Sequence, residues 1–195
     1  MTGSSNLIDA RILEITKRSG LTPKSIPKWG DYKNHTNKFF KQIREIPYNQ
    51  DFLFFVASPH GTGKTTAILC LIRECLEKGL TAYYVTAKRL RDLHAWKYDD
   101  QEARDELKEV DNAHILAVDE FGRQGESETG HFENYIGVTL ESSGRKIILI
   151  SNIPFTDKKR FLYSKNLWIM SRLRKAVPIG WEDIDHRGVS FRGVK

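Results

Sequence analysis

Four short, nearly uninterrupted apolar runs, at residues 52–57, 81–86, 114–118 and 146–150, are separated by longer stretches of helical spacing at 64–78, 87–97, 101–110 and 132–141. A strand with one wet face alternates apolar and polar positions, so runs without that alternation predict strands buried on both faces. Strands of this kind alternating with helices predict an α/β fold, a parallel sheet sandwiched between helices. Residues 167–175 predict a further helix and 176–179 a fifth short strand. Upstream, Ile8, Ile12 and Ile15 share one side of a helix over 7–18 that ends near Gly20. A proline-punctuated connector at 22–30 and a helix at 38–46 follow. The chain contains no internal repeat and no low-complexity tract.

Its 195 residues, 39% of them hydrophobic, suffice for one sizeable core and are few for two. The expected layout is a short N-terminal helix and linker over 1–30 and one domain over 31–195. Cys70 and Cys75 fall in the stretch after residue 64 at a spacing that is neither a CxxC motif nor a metal-ligand pair, so they read as core filler in a reducing compartment. No apolar run approaches the roughly 20 residues of a membrane span, and the N-terminus lacks the basic-then-apolar layout of a signal peptide. A cytoplasmic protein without a membrane partner is expected. The net charge of +6 is unevenly spread: residues 1–50 carry 9 basic and 4 acidic side chains, 51–144 carry 10 and 17, and 145–195 carry 12 and 4. Basic ends around an acidic middle favour a polyanion, either nucleic acid or the phosphates of a ligand shared with a neighbouring subunit.

The sharpest chemistry lies between the first strand and the helix that follows it, in Ser58-Pro-His-Gly-Thr-Gly-Lys-Thr65. A glycine turn in this context aims backbone N–H groups inward at a positive helix N-terminus, which is how a loop cradles phosphates. His60, Gly61, Thr62, Gly63, Lys64, Thr65 and Thr66 are therefore expected to wrap a nucleoside triphosphate. Lys64 would reach its β- and γ-phosphates and Thr65 would offer a hydroxyl to Mg²⁺. Ser58 occupies a position where the motif expects glycine; serine is small and tolerates turns, so the match is weakened without being broken. The run at 114–118 continues into Asp119-Glu120, with Asp119 expected at the metal and Glu120 at the attacking water. The run at 146–150 ends in Ser151-Asn152, and an amide there can donate to phosphate while accepting from water. Arg172 and Arg192 come late in the chain. Isolated arginines are surface charges by default, but an ordered series makes them candidates for stabilising a transferring phosphoryl group.

Taken in order, Gly61-Thr-Gly-Lys-Thr65, Val118-Asp-Glu-Phe-Gly122 with Gln124 and Glu126-Ser127, Ser151-Asn152, Ser171-Arg-Leu173 and Ser190-Phe-Arg192 resemble the AAA+ module of the DnaC/DnaI/IstB group. These are bacterial and phage replicative-helicase loaders and their transposition relatives. The resemblance runs from about Ser19 to the C-terminus. It implies a five-stranded parallel sheet of order 5-1-4-3-2, ATP and Mg²⁺ as cofactors, a sensor role for Asn152, a trans-acting finger role for Arg172 and a second sensor role for Arg192. It also implies single-stranded DNA contacts after the second strand and beyond the Asp-Glu pair, where Trp96, Tyr98, Ser127 and Phe132 stand. Aromatics beside positive charge suit stacking of unpaired bases, although Trp96 and Phe132 on helices are about as well suited to a core.

The function expected from this resemblance is an ATP-hydrolysing helicase loader. Its partners would be single-stranded DNA, a replicative helicase and further copies of itself sharing the active site, in a bacterial or phage-infected cell. Loaders carry an N-terminal domain that grips the helicase. Here only the helix at 7–18 precedes the resembling segment, which leaves docking to that helix or another surface, or sets the chain outside the loaders. The rival readings are an IstB-like transposition helper binding duplex DNA and a transposase, a P-loop small-molecule kinase, and a nucleotide-gated adaptor with little turnover.

Overall fold

The structure, a computed structural model, describes residues 2–23, 26–31, 38–122, 130–141, 144–154 and 156–180. Five parallel strands, β1 (Leu53–Ala57), β2 (Ala82–Thr86), β3 (Ile115–Asp119), β4 (Lys146–Ser151) and β5 (Val177–Gly180), form one sheet in the order β2-β3-β4-β1-β5. Read from the other edge, this is the order implied by the family resemblance. Every residue of β1, β2 and β3 is buried, as expected for strands covered on both faces. The helices are α1 (Thr2–Arg18), α2 (Lys38–Glu45), α3 (Lys64–Glu77), α4 (Ala87–Trp96), α5 (Gln101–Asp111), α6 (Gly130–Glu141) and α7 (Leu167–Leu173).

Local chemistry explains where several helices begin. The Thr86 hydroxyl accepts from Arg89 N–H at the start of α4, Asp100 accepts from Glu102 and Ala103 before α5, and the Asn166 amide oxygen accepts from Ile169 N–H before α7. Each satisfies N–H groups that a helix start leaves without partners, worth about 1 kcal/mol per cap. Gly63, at φ 84, precedes α3 and makes no side-chain cap, so the first N–H groups of that helix stay available to a ligand.

α1 starts five residues before the apolar spacing predicts, because Thr2–Ser5 is polar and contributes no hydrophobic period. It packs on α3 and β2, burying Ile12 and Ile15 in the common core. Arg73 of α3, 4% exposed, clamps the join by pairing with Asp9 of α1 and with Glu77 at 2.9 Å. On the far side, buried Glu106 of α5 receives both Nε and Nη2 of Arg89 from α4. Fixing two helices by one bidentate pair suits arginine's planar fork. Among the described residues no helix is long and apolar enough to cross a membrane.

Candidate nucleotide site

The strand order creates the site. β1 runs between β4 and β5, yet its chain continues through α3 to β2 at the distant edge, so the loop after β1 lies beside the C-terminal ends of β3 and β4. Open α/β sheets bind ligands at such a reversal. The register brings Ala57 level with Ser151 and Thr86 level with Asp119. A cleft of about 490 Å³ opens there, lined by all seven predicted loop residues from His60 to Thr66 together with Asp119, Glu120 and Asn152.

Gly61 and Gly63 both have positive φ, 79° and 84°, the backbone shape for which glycine is suited. Ser58 has no positive φ, so a Cβ is tolerated at that position. Its hydroxyl pairs with that of Thr62 and its carbonyl accepts from Lys64 Nζ at 2.6 Å. Lys64 Nζ also donates to the Pro59 carbonyl at 2.8 Å, folding the ammonium into its own loop. Burial pulls the Lys64 pKa below the ordinary lysine value, and the charge of Asp119 works against that shift.

Asp119 is the hub of the opposite wall. Its Oδ2 accepts from the Thr65 hydroxyl at 2.7 Å and from the Tyr84 hydroxyl at 2.8 Å, while Oδ1 accepts from Glu120 N–H at 2.7 Å. Thr65 and Asp119 thus present hard oxygen donors side by side in the cleft, a set that fits Mg²⁺, which binds proteins through one or two such groups plus substrate phosphates. Burial, then the adjacent Asp119 charge, pushes the Tyr84 phenol well above its usual pKa, so it remains a donor. Glu120 has φ 56, the only positive value at a non-glycine among the described residues. Such strain of order 1–3 kcal/mol persists where surrounding structure holds it. Here Phe121 N–H donates to the Ile150 carbonyl at 2.8 Å and the Phe121 ring is buried beside Phe161 and Tyr163.

Gly122 ends this turn at φ 77, and a Cβ there would overlap the fully buried Phe161 ring. Gly122→Ala is expected to cost about 2–4 kcal/mol from overpacking and backbone strain together, read as a lower urea midpoint. An unchanged midpoint would mean that the turn is looser than its packing indicates.

Several site residues lie outside the phosphate-loop and Asp-Glu motifs. Ser19, Gly20 and Leu21, just past α1, line the cleft, as do Tyr84 and Thr86 of β2. A smaller adjoining cavity of about 130 Å³, shared by His60, Glu120 and Asn152, adds Arg160. Arg172 does not line the cleft of its own chain; its guanidinium lies 4.4 Å from the Trp168 ring centroid, donates to the Trp168 carbonyl at 3.0 Å and pairs with Glu141. Trp96 and Tyr98 are 49% and 76% exposed, so neither belongs to the core. Tyr98 borders a groove of about 550 Å³ with His94, Lys97, Asn134, Tyr135 and Val138. Phe132 falls within α6, while Ser127 and Arg192 lie outside the described residues.

No protein-family model matches the chain. An IS21-like insertion-sequence ATP-binding protein from Bacteroides fragilis is 30% identical over 108 residues, 53% of this chain and 41% of that protein's length. The structure of DnaI superposes with a TM-score of 0.62 at 16% identity, covering 79% of this chain and 90% of DnaI. The DnaC helicase loader gives 0.57 at 16% identity, with coverage of 88% and 99%. The replication initiator DnaA bound to AMPPCP and single-stranded DNA gives 0.61 at 18% identity, with coverage of 80% and 49%. The chain thus has the AAA+ P-loop fold of DnaI and the DnaC helicase loader, and about half of its sequence is similar to an IS21-like ATP-binding protein.

Proposed function

We propose that the chain hydrolyses ATP and uses the cycle to engage single-stranded DNA and deliver a replicative helicase. The observation that carries the ATPase reading is the meeting of Lys64, Thr65, Asp119, Glu120 and Asn152 around one cleft, from three separate strand ends. Lys64 exchanges the carbonyls of Ser58 and Pro59 for the β- and γ-phosphates, helped by the N–H groups of the loop and of α3. Thr65 and Asp119 hold Mg²⁺, which when bound neutralises charge developing on the phosphoryl group. Glu120 orients the attacking water and takes its proton, and Asn152 holds that water against the γ-phosphate. Arg172 comes from a neighbouring copy, and Arg192 completes the site as second sensor. Within this reading residues 31–195 form the ATPase domain and 1–30 supply a helix and linker.

The DNA reading rests on the rim of the groove beside α4 and α6. Lys97 lies 5.0 Å from the Tyr98 ring centroid, Arg89 lies 5.9 Å from that of Trp96, and the His94 and Tyr135 rings meet at a tilt with centroids 4.9 Å apart. Exposed aromatics next to cations suit sequence-tolerant stacking of unpaired bases. Ser127 and Phe132 are proposed to contribute to the same binding. Fluorescence anisotropy with single- and double-stranded oligonucleotides, with AMPPCP present, tests it. Single strands are expected to bind more tightly, with affinity falling steeply as salt rises because condensed counterions are released. Tyr98→Ala is expected to weaken binding on the order of 10-fold without lowering the melting temperature. Salt-insensitive binding would sink the DNA surface.

The 30% identical insertion-sequence relative favours a second reading, a transposition helper that binds duplex DNA and a transposase. Preference for duplex in the same titration, with capture of a transposase instead of a helicase, would select it. Phosphate release separates both from a kinase, which would transfer the phosphoryl group to an acceptor.

A further inference from the structure

Tyr84 belongs to β2, yet its phenol reaches the heart of the cleft. The residue is 1% exposed, and its hydroxyl shares Asp119 Oδ2 with the Thr65 hydroxyl. A buried hydroxyl loses its hydration and needs a partner to offset that loss, whereas phenylalanine would fill nearly the same volume without the requirement. The partner here is the carboxylate that faces the triphosphate site. A carboxylate's terminal torsion is soft, and each fixed donor narrows it. Thr65 and Glu120 N–H supply two such donors from the loop and the turn; Tyr84 supplies the third from a separate strand. Once the Thr65 proton points to Asp119, the lone pairs of that hydroxyl are free for a cation, provided the carboxylate does not swing away.

We propose that Tyr84 is a positioning residue for the divalent cation, its hydroxyl fixing the Asp119 carboxylate in the orientation in which Thr65 and Asp119 hold Mg²⁺ at the triphosphate. The proposal rests on the assignment of Thr65 and Asp119 as the cation's protein partners. Tyr84 touches neither cation nor phosphate in this role and acts through Asp119.

Mn²⁺ is a paramagnetic stand-in that can be counted directly. With AMPPCP saturating, Tyr84→Phe is expected to weaken Mn²⁺ retention in the ternary complex roughly 10-fold by electron paramagnetic resonance, the scale of losing a group that orients a metal ligand. Affinity for AMPPCP without metal is expected to stay at the wild-type value, and excess Mn²⁺ is expected to restore occupancy. Tyr83→Phe is the control for losing a buried phenol from the same strand, since adjacent strand residues point to opposite faces of the sheet; it is expected to retain Mn²⁺ like the wild type. Equal retention by Tyr84→Phe and wild type would overturn the proposal, as would an equal loss in Tyr83→Phe, which would trace the effect to sheet packing. Wild-type protein that holds no more Mn²⁺ than AMPPCP alone would overturn the assignment of Thr65 and Asp119, and the proposal with it.

Discussion

Glu120→Gln is expected to bind ATP as tightly as the wild type and to lose turnover by roughly 10²- to 10⁴-fold, the usual contribution of a positioned general base. The amide keeps the length and shape of the carboxylate, and the positive φ of Glu120 is a property of the turn, so the fold is not disturbed. Lys64→Ala is expected to do the reverse and abolish tight nucleotide binding. The structure adds a complication, because Lys64 Nζ also satisfies the carbonyls of Ser58 and Pro59, and its removal is expected to cost about 1–3 kcal/mol of stability with no ligand present. The two effects separate in a thermal melt. Ligand at 100 times its Kd stabilises a binder by about 2.7 kcal/mol, so AMPPCP should raise the melting temperature of wild type and Glu120→Gln equally and leave Lys64→Ala unmoved. Wild-type phosphate release by Glu120→Gln would remove this residue from the water-activating role.

Arg172→Ala is expected to bind ATP nearly as the wild type does and hydrolyse it on the order of 10³-fold more slowly, since a finger supplied from a neighbour acts on the transition state. In the single chain the guanidinium rests on Trp168 and pairs with Glu141, away from its own cleft. Glu141 is 53% exposed, so breaking that pair should cost little stability and the loss would be one of turnover. Mixing gives the sharper measurement. Arg172→Ala retains an intact phosphate loop and Lys64→Ala an intact arginine, so an interface pairing the two recovers a complete site. Activity recovered on mixing, together with a specific rate that falls on dilution, is the expected result. A rate strictly proportional to protein concentration, with no recovery on mixing, would place the whole site within one chain.

The strands and the loop were legible because each is dictated locally. A parallel strand buried on both faces must be apolar throughout, which made 52–57, 81–86, 114–118 and 146–150 stand out, and the structure moves their ends by only a residue. At β3 and β4 the strands end at Asp119 and Ser151, so Glu120 and Asn152 are the first residues beyond them. Lys64, Thr65, Asp119, Glu120 and Asn152 could be named in advance because their chemistry is bound to position, at the end of a strand or the start of a helix. Trp96 was ambiguous in sequence, since a tryptophan at helical spacing suits a core as well as a surface; its place at the last position of α4, half exposed, decided the matter.

What the sequence determined by itself is therefore the set of elements and the residues proposed to carry phosphate chemistry, through hydrophobic period and motif spacing. Tertiary structure decided which residues outside the phosphate-loop and Asp-Glu motifs reach the cleft. Ser19 to Leu21 join the cleft because α1 packs on α3 and β2, burying Ile12 and Ile15 and clamping Asp9 to Arg73, an arrangement between distant segments that no local pattern encodes. Tyr84 meets Asp119 because β2 and β3 pair in parallel with Thr86 level with Asp119, and strand pairing is set by packing of the whole sheet. In sequence Tyr84 is one more apolar position of a buried run; in the fold its hydroxyl is a donor to the central carboxylate of the site.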